Sequence, residues 1–339
     1  MLRGANRRWW RPVVALLAAL AIAVPLMMLA FLPVVLAAAI AGVPDPAGWA
    51  GGELLKINNL GPAGFLYLNL TLIALIPASG LSIWLVHRVR PRYLSSVRGG
   101  IRWGWLLRCL TVVVPLWAVY LGVSIALGPE ASARPAHWAL LLVIVVLLTP
   151  LQAAGEEYLF RGWVMQNVGS WFRSPMLWLA VSLVVSVTTF AMAHGSPNVW
   201  VVGSLAVFAL TTGLATWRTG GLEAAIAIHA VNNVGGFFIV ILLGGWQDAF
   251  IGATTTSSPS VFLMAVAAHG LALALILWLA KRSRLEWRYQ PPQPPVSSSV
   301  PPQLPASPVG AHWLPRQVNQ DPHSDAAFSR ERPADRSHG

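Results

Sequence analysis

Long apolar runs, separated by short polar segments, occupy the chain up to about residue 285. A transmembrane helix needs about 20 predominantly apolar residues, and eight of the runs reach or approach that length. They predict eight spans, at approximately Val13–Ala41, Gly61–Val86, Cys109–Leu127, Trp138–Gln166, Met176–His194, Val199–Trp217, Leu222–Leu243 and Val261–Ala280. This pattern is typical of an all-α, polytopic membrane helix bundle.

The composition supports the same fold class. Hydrophobic residues make up 56% of the chain and charged residues only 10%, whereas a soluble domain carries roughly 25% charged residues. The single cysteine, Cys109, excludes a disulfide framework and a cysteine-rich metal site.

The net charge of +11 comes from basic residues that cluster on one side of the predicted bundle. They lie before the first span, between the second and third spans, and after the last: Arg3, Arg7, Arg8, Arg11, Arg88, Arg90, Arg92, Arg98, Arg102, Arg108, Lys281, Arg282, Arg284 and Arg288. This is the positive-inside pattern of a membrane protein, so no nucleic-acid partner is expected. It predicts cytoplasmic N- and C-termini in a multi-pass protein of the plasma membrane.

The composition changes near residue 286, where proline, serine and polar residues replace the apolar runs. Such a segment cannot bury enough apolar surface to fold, so residues 286–339 are predicted to be a disordered cytoplasmic tail of unknown partner. Before the tail we expect three N-terminal spans within residues 1–137, a four-span core within residues 138–245, and a last span within residues 246–285.

Ionisable and amide side chains inside the predicted spans are few, and groups of this kind are functional candidates because lipid disfavours them. They are Asn69, Gln152, Glu156, Glu157, Arg161, His194, His229, Asn232, Asn233 and His269. The spacing of Asn69, Gln152 and His269 suggests no common site, and we expect these three to be structural. Glu223 and Gln166 lie at span ends, where water is expected to reach them.

Helix geometry separates the two adjacent glutamates of the segment "GEEYLFRG". Glu157 and Arg161 are four residues apart and share a helix face, so they can form an ion pair. Glu156 points about 100° away from that face and is left to contact another group. The pattern therefore predicts one structural carboxylate and one free carboxylate that can serve as a base.

Two further segments, "FAMAHG" and "HAVNN", place an imidazole or an imidazole and an amide at helical spacing. His229 and Asn233 are one turn apart, and a donor pair of this kind suits a developing oxyanion. His194 follows Phe190 by one turn. The joint occurrence of a free carboxylate, an imidazole, and an imidazole with an amide favours one shared site.

The motifs "EEYLFR", "FAMAH" and "HAVNN" resemble the EExxxR, FxxxH and HxxxN motifs of the CPBP membrane proteases. That family includes CAAX prenyl endopeptidases and bacterial abortive-infection and bacteriocin-immunity proteins. The resemblance covers approximately residues 138–245. It implies an intramembrane endopeptidase of glutamic type that acts on a membrane-embedded or lipid-anchored peptide or protein within the membrane lipid, without a cofactor.

The resemblance also implies a role for each motif residue. Glu156 and His194 would activate the hydrolytic water, and His229 and Asn233 would form the oxyanion hole. The supporting pair would be Glu157 and Arg161.

Two alternatives to this function remain open from the sequence. The first is a zinc-dependent membrane metalloprotease in which Glu156, His194 and His229 are the ligands of a three-ligand open site. The chain lacks an HExxH motif, and its HxxxN motif supplies an amide where a second histidine would be expected. The second alternative is a non-catalytic membrane immunity or scaffold protein.

Overall fold

The computed structural model describes residues 8–56, 60–127 and 131–289. Within these ranges the chain is built from helices, with one isolated β-bridge between Ser96 and Gly221. The α-helices are α1 Arg11–Leu29, α2 Phe31–Ile40, α3 Pro46–Leu55, α4 Pro62–Ile73, α5 Leu75–His87, α6 Arg92–Ser95, α7 Trp103–Leu127, α8 Trp138–Glu157, α9 Met165–Ser170, α10 Pro175–Ala193, α11 Val199–Thr219, α12 Glu223–Leu242 and α13 Pro259–Arg282. A π-helix, Tyr158–Val164, joins α8 to α9, and a 3₁₀-helix occupies Trp246–Ala249.

In the described ranges these helices form eight stretches that are long and apolar enough to cross a membrane. They are Arg11–Ile40, Pro62–His87, Trp103–Leu127, Trp138–Ser170, Pro175–Ala193, Val199–Thr219, Glu223–Leu242 and Pro259–Arg282. The prediction of an all-α bundle of eight spans is confirmed, and the protein is an integral membrane protein. The part of the predicted tail from residue 290 onwards lies outside the described residues.

Prolines divide the first two spans into two helices each. The first breaks at Ala30 and the second at Ala74. A proline ring clashes with the carbonyl group four residues earlier, and Pro33 and Pro77 lie four residues after the last residues of α1 and α4. The two breaks therefore coincide with prolines, whereas Pro25, Pro115 and Pro150 lie inside helices that continue past them.

Helix α12 is surrounded by other helices in its first half and lies at the centre of the core. It packs against α7, α8 and α11, and every residue from Glu223 to Ala230 is buried. Four of these eight residues are alanine, and small side chains let neighbouring membrane helices approach closely. The central position of α12 places its polar residues next to those of α8.

Helices α4 and α8 approach each other closely beside the paired glutamates. A side chain at Gly155 would meet the main chain of Leu72 and Ile73, so only glycine fits there. Nearer the middle of α8, the Thr149 hydroxyl donates a hydrogen bond to Asn69 Oδ1 at 3.2 Å. The predicted structural role of Asn69 agrees with this contact.

A second polar group, which we call the rim cluster, joins the segment before α7 to the start of α12. It consists of Arg102, Thr219, Glu223 and Glu286. Glu223 is fully buried, and its carboxylate accepts bonds from Arg102 Nε at 2.9 Å and Arg102 Nη2 at 2.7 Å. The expectation that water reaches Glu223 is wrong, because Arg102 covers this carboxylate.

The last described residues pack on the rim cluster. The carbonyl oxygen of Glu286 accepts a hydrogen bond from Arg102 Nη1 at 3.1 Å. Trp287 lies so close to Gly220 that a side chain at Gly220 would meet its main chain. Residues 286–289, which sequence analysis assigns to the disordered tail, are therefore in contact with the helical bundle.

Candidate active site

The candidate active site lies where the fourth span changes from α8 to the π-helix. Glu156 and Glu157 are the last two residues of α8, and Arg161 is in the π-helix. In this segment the carbonyl oxygen of Phe160 accepts a hydrogen bond from Ser186 Oγ of α10 at 3.1 Å. π-Helical turns occur frequently at functional sites, and here the turn carries one of the charged residues of the site.

Glu157 and Arg161 form the buried ion pair that their spacing predicts. Arg161 Nη1 donates to Glu157 Oε1 at 3.0 Å, and both side chains are fully buried. The guanidinium also lies over the rings of Phe190 at 4.6 Å, Phe208 at 5.6 Å and Phe160 at 5.9 Å. Aromatic faces attract a desolvated cation, so these rings supplement the single carboxylate contact.

Three polar atoms of this pair have no hydrogen-bond partner in the described part of the chain. They are Glu157 Oε2 and the Nε and Nη2 atoms of Arg161. A buried polar group that makes no hydrogen bond costs free energy. This buried pair therefore uses only part of its hydrogen-bonding capacity among the described residues.

His229 of α12 lies between the two glutamates. Its Nδ1 is 2.7 Å from Glu157 Oε1, and its Nε2 is 3.8 Å from Glu156 Oε2. An ionised carboxylate only accepts hydrogen bonds, so Nδ1 carries the proton that bonds to Glu157. Glu157 thereby fixes the orientation of the imidazole, with Nε2 directed towards Glu156.

Glu156 occupies a different environment from Glu157. Its side chain is 12% exposed, whereas that of Glu157 is fully buried. Glu156 Oε1 accepts a hydrogen bond from Gln152 Nε2, one helical turn earlier. The two glutamates thus differ in their contacts and in their exposure, and Glu156 is the more exposed of the two.

Asn233 joins the same group through Gln152. Its Nδ2 donates to Gln152 Oε1 at 3.2 Å, so His229 and Asn233 both face α8, as their spacing predicts. Gln152 was expected to be structural, and the structure instead places it between Asn233 and Glu156. Its four-residue separation from Glu156 was the sequence signal that could have identified it.

Asn233 also has a partner within α12 itself. Asn232 Nδ2 donates to Asn233 Oδ1 at 3.2 Å, and Trp117 Nε1 of α7 donates to Asn232 Oδ1 at 3.1 Å. Trp117 is fully buried and packs against His269, with ring centroids 5.3 Å apart. The polar group thus extends from α8 through α12 to α7.

His194 is not part of this hydrogen-bonded group. It caps the C-terminal end of α10, and its Nδ1 lies 2.8 Å from the carbonyl oxygen of Phe190. Phe190 contacts both imidazoles, with ring centroids 4.8 Å from His194 and 6.1 Å from His229. A carbonyl oxygen only accepts, so Nδ1 donates to it, and Nε2 of His194 makes no hydrogen bond to the described residues.

The zinc alternative would use Glu156, His194 and His229 as ligands. Within residues 8–56, 60–127 and 131–289, no three His, Cys, Asp or Glu side chains are grouped so that they could hold a metal ion. The Nδ1 atoms of the two histidines are engaged by Phe190 and Glu157, which leaves their Nε2 atoms for other partners. We derive no catalytic step through a metal.

Comparison with known proteins identifies the region that contains these residues. Residues 135–235 match the family model described as type II CAAX prenyl endopeptidase Rce1-like. A curated relative, the uncharacterized protein YyaK of Bacillus subtilis strain 168, is 29% identical in an alignment of 167 residues that covers 46% of this chain. The matched part spans about half of that relative, 53% of its length. No solved structure matches the chain.

The family match begins just before α8 and ends two residues after Asn233. It therefore includes all three motifs on which the resemblance to the CPBP membrane proteases depends. That resemblance is confirmed: residues 135–235 are similar to the Rce1-like family of type II CAAX prenyl endopeptidases.

Proposed function

We propose that this protein is an intramembrane endopeptidase of glutamic type, in which Glu156 activates the water that hydrolyses a peptide bond. The observation that carries the proposal is the contrast between two adjacent carboxylates. Glu157 is fully buried and holds Arg161 and His229, while Glu156 is partly exposed beside the free nitrogen of His229. One carboxylate therefore supports the site, and the other is available to a substrate.

The two nitrogens of His229 can serve different partners. Nδ1–H donates to Glu157. In an imidazole that carries both protons, Nε2–H is a second donor that can bind an oxyanion.

The proposed reaction uses this arrangement in two steps. Glu156 accepts a proton from water while the oxygen attacks the carbonyl carbon, and a tetrahedral oxyanion forms. His229 Nε2–H and an Nδ2–H of Asn233 stabilise that oxyanion. Glu156 then returns the proton to the departing nitrogen, the C–N bond breaks, and a new carboxyl terminus and a free amine are released.

His194 is proposed to orient the attacking water. Its Nδ1 is held by the carbonyl oxygen of Phe190, and in the neutral imidazole Nε2 is then an acceptor for a water proton. Phe190 contacts both His194 and His229, so His194 lies beside the candidate active site.

The substrate is proposed to be a membrane-embedded or lipid-anchored peptide or protein. The matched family is described as a CAAX prenyl endopeptidase, and this description supports a substrate that carries its lipid anchor near its own C-terminus. The basic residues that follow the second and last spans support cytoplasmic N- and C-termini in a plasma-membrane protein. Membrane lipid is then the surrounding medium, and no nucleic acid takes part.

The test is a pair of substitutions in purified protein reconstituted in lipid vesicles. The variant Glu156→Gln removes the base and preserves the shape of the side chain. Cleavage of a lipid-anchored reporter peptide, followed by mass spectrometry, should fall to the background of empty vesicles, while the yield of folded protein stays the same. Glu53→Gln, in the short helix α3, is the matched control and should cleave normally.

Full cleavage by Glu156→Gln would overturn the glutamic mechanism. Activity that a strong chelator abolishes and zinc restores would favour the metalloprotease. If the unmodified protein cleaves none of a set of reporters that differ from one another in lipid and sequence, the non-catalytic alternative is supported.

A further inference from the structure

Five side chains form one continuous line of hydrogen bonds across three helices. Trp117 donates to Asn232, Asn232 to Asn233, Asn233 to Gln152, and Gln152 to Glu156. The line begins on α7, passes through two neighbouring residues of α12, and ends on α8. Each of the three amides in the middle accepts one bond through its oxygen and donates one through its nitrogen.

The two ends of the line fix its direction. An indole N–H can only donate, and an ionised carboxylate can only accept. Trp117 therefore determines that the oxygen of Asn232 faces α7, and Glu156 determines that the nitrogen of Gln152 faces Glu156. Asn233 lies between these fixed groups, so its oxygen must receive Asn232 and its nitrogen must face Gln152.

The orientation of the Asn233 amide decides whether that residue can serve the reaction. Its nitrogen carries two hydrogens, and Gln152 takes one of them. The second remains for a substrate oxyanion. If the amide were reversed, its oxygen would face the oxyanion and repel it.

We propose that Trp117 and Asn232 are positioning residues that hold the Asn233 amide with its donor side towards the reacting carbonyl. This inference rests on the proposed function, since it assigns a task to Asn233 in catalysis. Asn232 occupies one of the unspecified positions of the HxxxN motif, and Trp117 is outside residues 135–235, which match the family. Trp117 acts through Asn232, and Asn232 acts through Asn233.

The variant Trp117→Phe tests the proposal because it removes the donor and keeps an aromatic ring. We expect kcat to fall about three- to tenfold, which is the effect of losing one neutral hydrogen bond, with KM unchanged. The matched control is Trp105→Phe in the same helix. Trp105 is also buried, but its Nε1 has no hydrogen-bond partner in the described residues, so its removal should leave kcat unaltered.

A positioning role is distinguished from a general packing role by repeating the substitution in Asn233→Ala protein. When the amide is absent there is nothing to orient, so Trp117→Phe should cause no further loss of kcat there. Asn232→Ala should behave in the same way and provides a second route if Trp117→Phe folds poorly. Equal losses in both backgrounds, no loss at all, or the same loss for Trp105→Phe would overturn the proposal.

Unfolding measurements separate this inference from the proposed function. If the unmodified protein shows no cleavage that depends on Glu156, the proposed function fails. The line of hydrogen bonds is then judged from thermal unfolding in detergent. If the Tm shift of the double variant equals the sum of the shifts for Trp117→Phe and Asn233→Ala, the two residues are not coupled and the inference is overturned. If it differs from that sum, the hydrogen bonds couple Trp117 to Asn233, as the inference requires.

Discussion

Among the described residues, two buried pairs join a glutamate to an arginine, and the two pairs differ in how many hydrogen bonds hold them. At the rim cluster, Arg102 uses Nε, Nη1 and Nη2, and both oxygens of Glu223 accept bonds. At the candidate active site, Arg161 donates to Glu157 through one nitrogen, and three polar atoms of the pair have no hydrogen-bond partner in the described residues. Both carboxylates are fully buried, so depth alone does not explain the difference.

The difference indicates what each pair does. A buried ion pair stabilises a fold only when nearly all its donors and acceptors are used. The rim cluster meets that condition and fixes the start of α12 to the segment before α7. Unsatisfied buried groups usually have another reason to exist, and the Glu157–Arg161 pair has one in orienting His229. We therefore expect changes at the rim to affect stability and changes at the site to affect turnover.

The largest expected effect comes from converting each buried glutamate to glutamine. In Glu157→Gln, the charged acceptor for His229 Nδ1–H is lost, so the imidazole is no longer held with Nε2–H towards the substrate. We expect kcat per folded molecule to fall by about 10³-fold, the upper end of the effect of losing one oxyanion donor. Glu223→Gln should lower the Tm and leave kcat per folded molecule unchanged. A normal kcat in Glu157→Gln would break the contrast between the two pairs.

A smaller effect is expected from removing an amide. Asn233→Ala deletes one oxyanion donor, so kcat should fall by roughly 10²–10³-fold in the reporter assay. Asn69→Ala removes a buried amide on α4 that bonds to Thr149 and Phe65. This control should reduce the Tm without changing kcat per folded molecule. Similar kcat losses in both variants would mean that Asn233 acts only through packing.

The two arginines provide a third comparison, made by replacing each with lysine. Lysine keeps the charge but not the planar fork of donors. Arg102→Lys should cost about 1.5–3 kcal/mol of unfolding free energy, because several hydrogen bonds to Glu223 and its neighbours are lost. Arg161→Lys should cost less, since its single bond to Glu157 can be kept. Chemical denaturation in detergent would measure both, and the reverse order would contradict the contrast.

The smallest effect concerns the C-terminal segment. A chain that ends after Tyr289 should retain full turnover and Tm, because residues 290–339 have a composition that does not support packing against the core. A chain that ends after Arg284 also loses the contact between the Glu286 carbonyl and Arg102. We expect the second truncation to be about 1 kcal/mol less stable, with the same kcat per folded molecule. A loss of turnover in the first would show that the tail contributes to catalysis.

Features that depend on neighbouring residues could be predicted from the sequence. Apolar runs predict the eight spans, and a separation of four residues predicts the pairing of Glu157 with Arg161. The same rule, applied to Gln152 and Glu156, would have added Gln152 to the site. Local rules suffice in these cases because both partners belong to one helix.

Contacts between distant segments could not be predicted in this way. Arg102 and Glu223 are 121 residues apart, and no periodicity relates them. The contact of His229 with both glutamates likewise depends on how α12 packs against α8. The sequence placed His229 among oxyanion donors and did not indicate that Glu157 would hold its Nδ1.

The π-helix makes the fourth span sensitive to the length of its chain as well as to the identity of Arg161. A π-helical loop contains one residue more than an α-helical loop, so deleting one residue between Tyr158 and Phe160 would favour a regular α-helix. The shortened span would still be long enough to cross the membrane. Glu157 and Arg161 would then be three residues apart, a spacing that still shares a helix face, whereas the side chains of the turn would meet α5 and α10 in a new register. A length change that makes the helix regular would thus alter the packing around the ion pair without removing either charge.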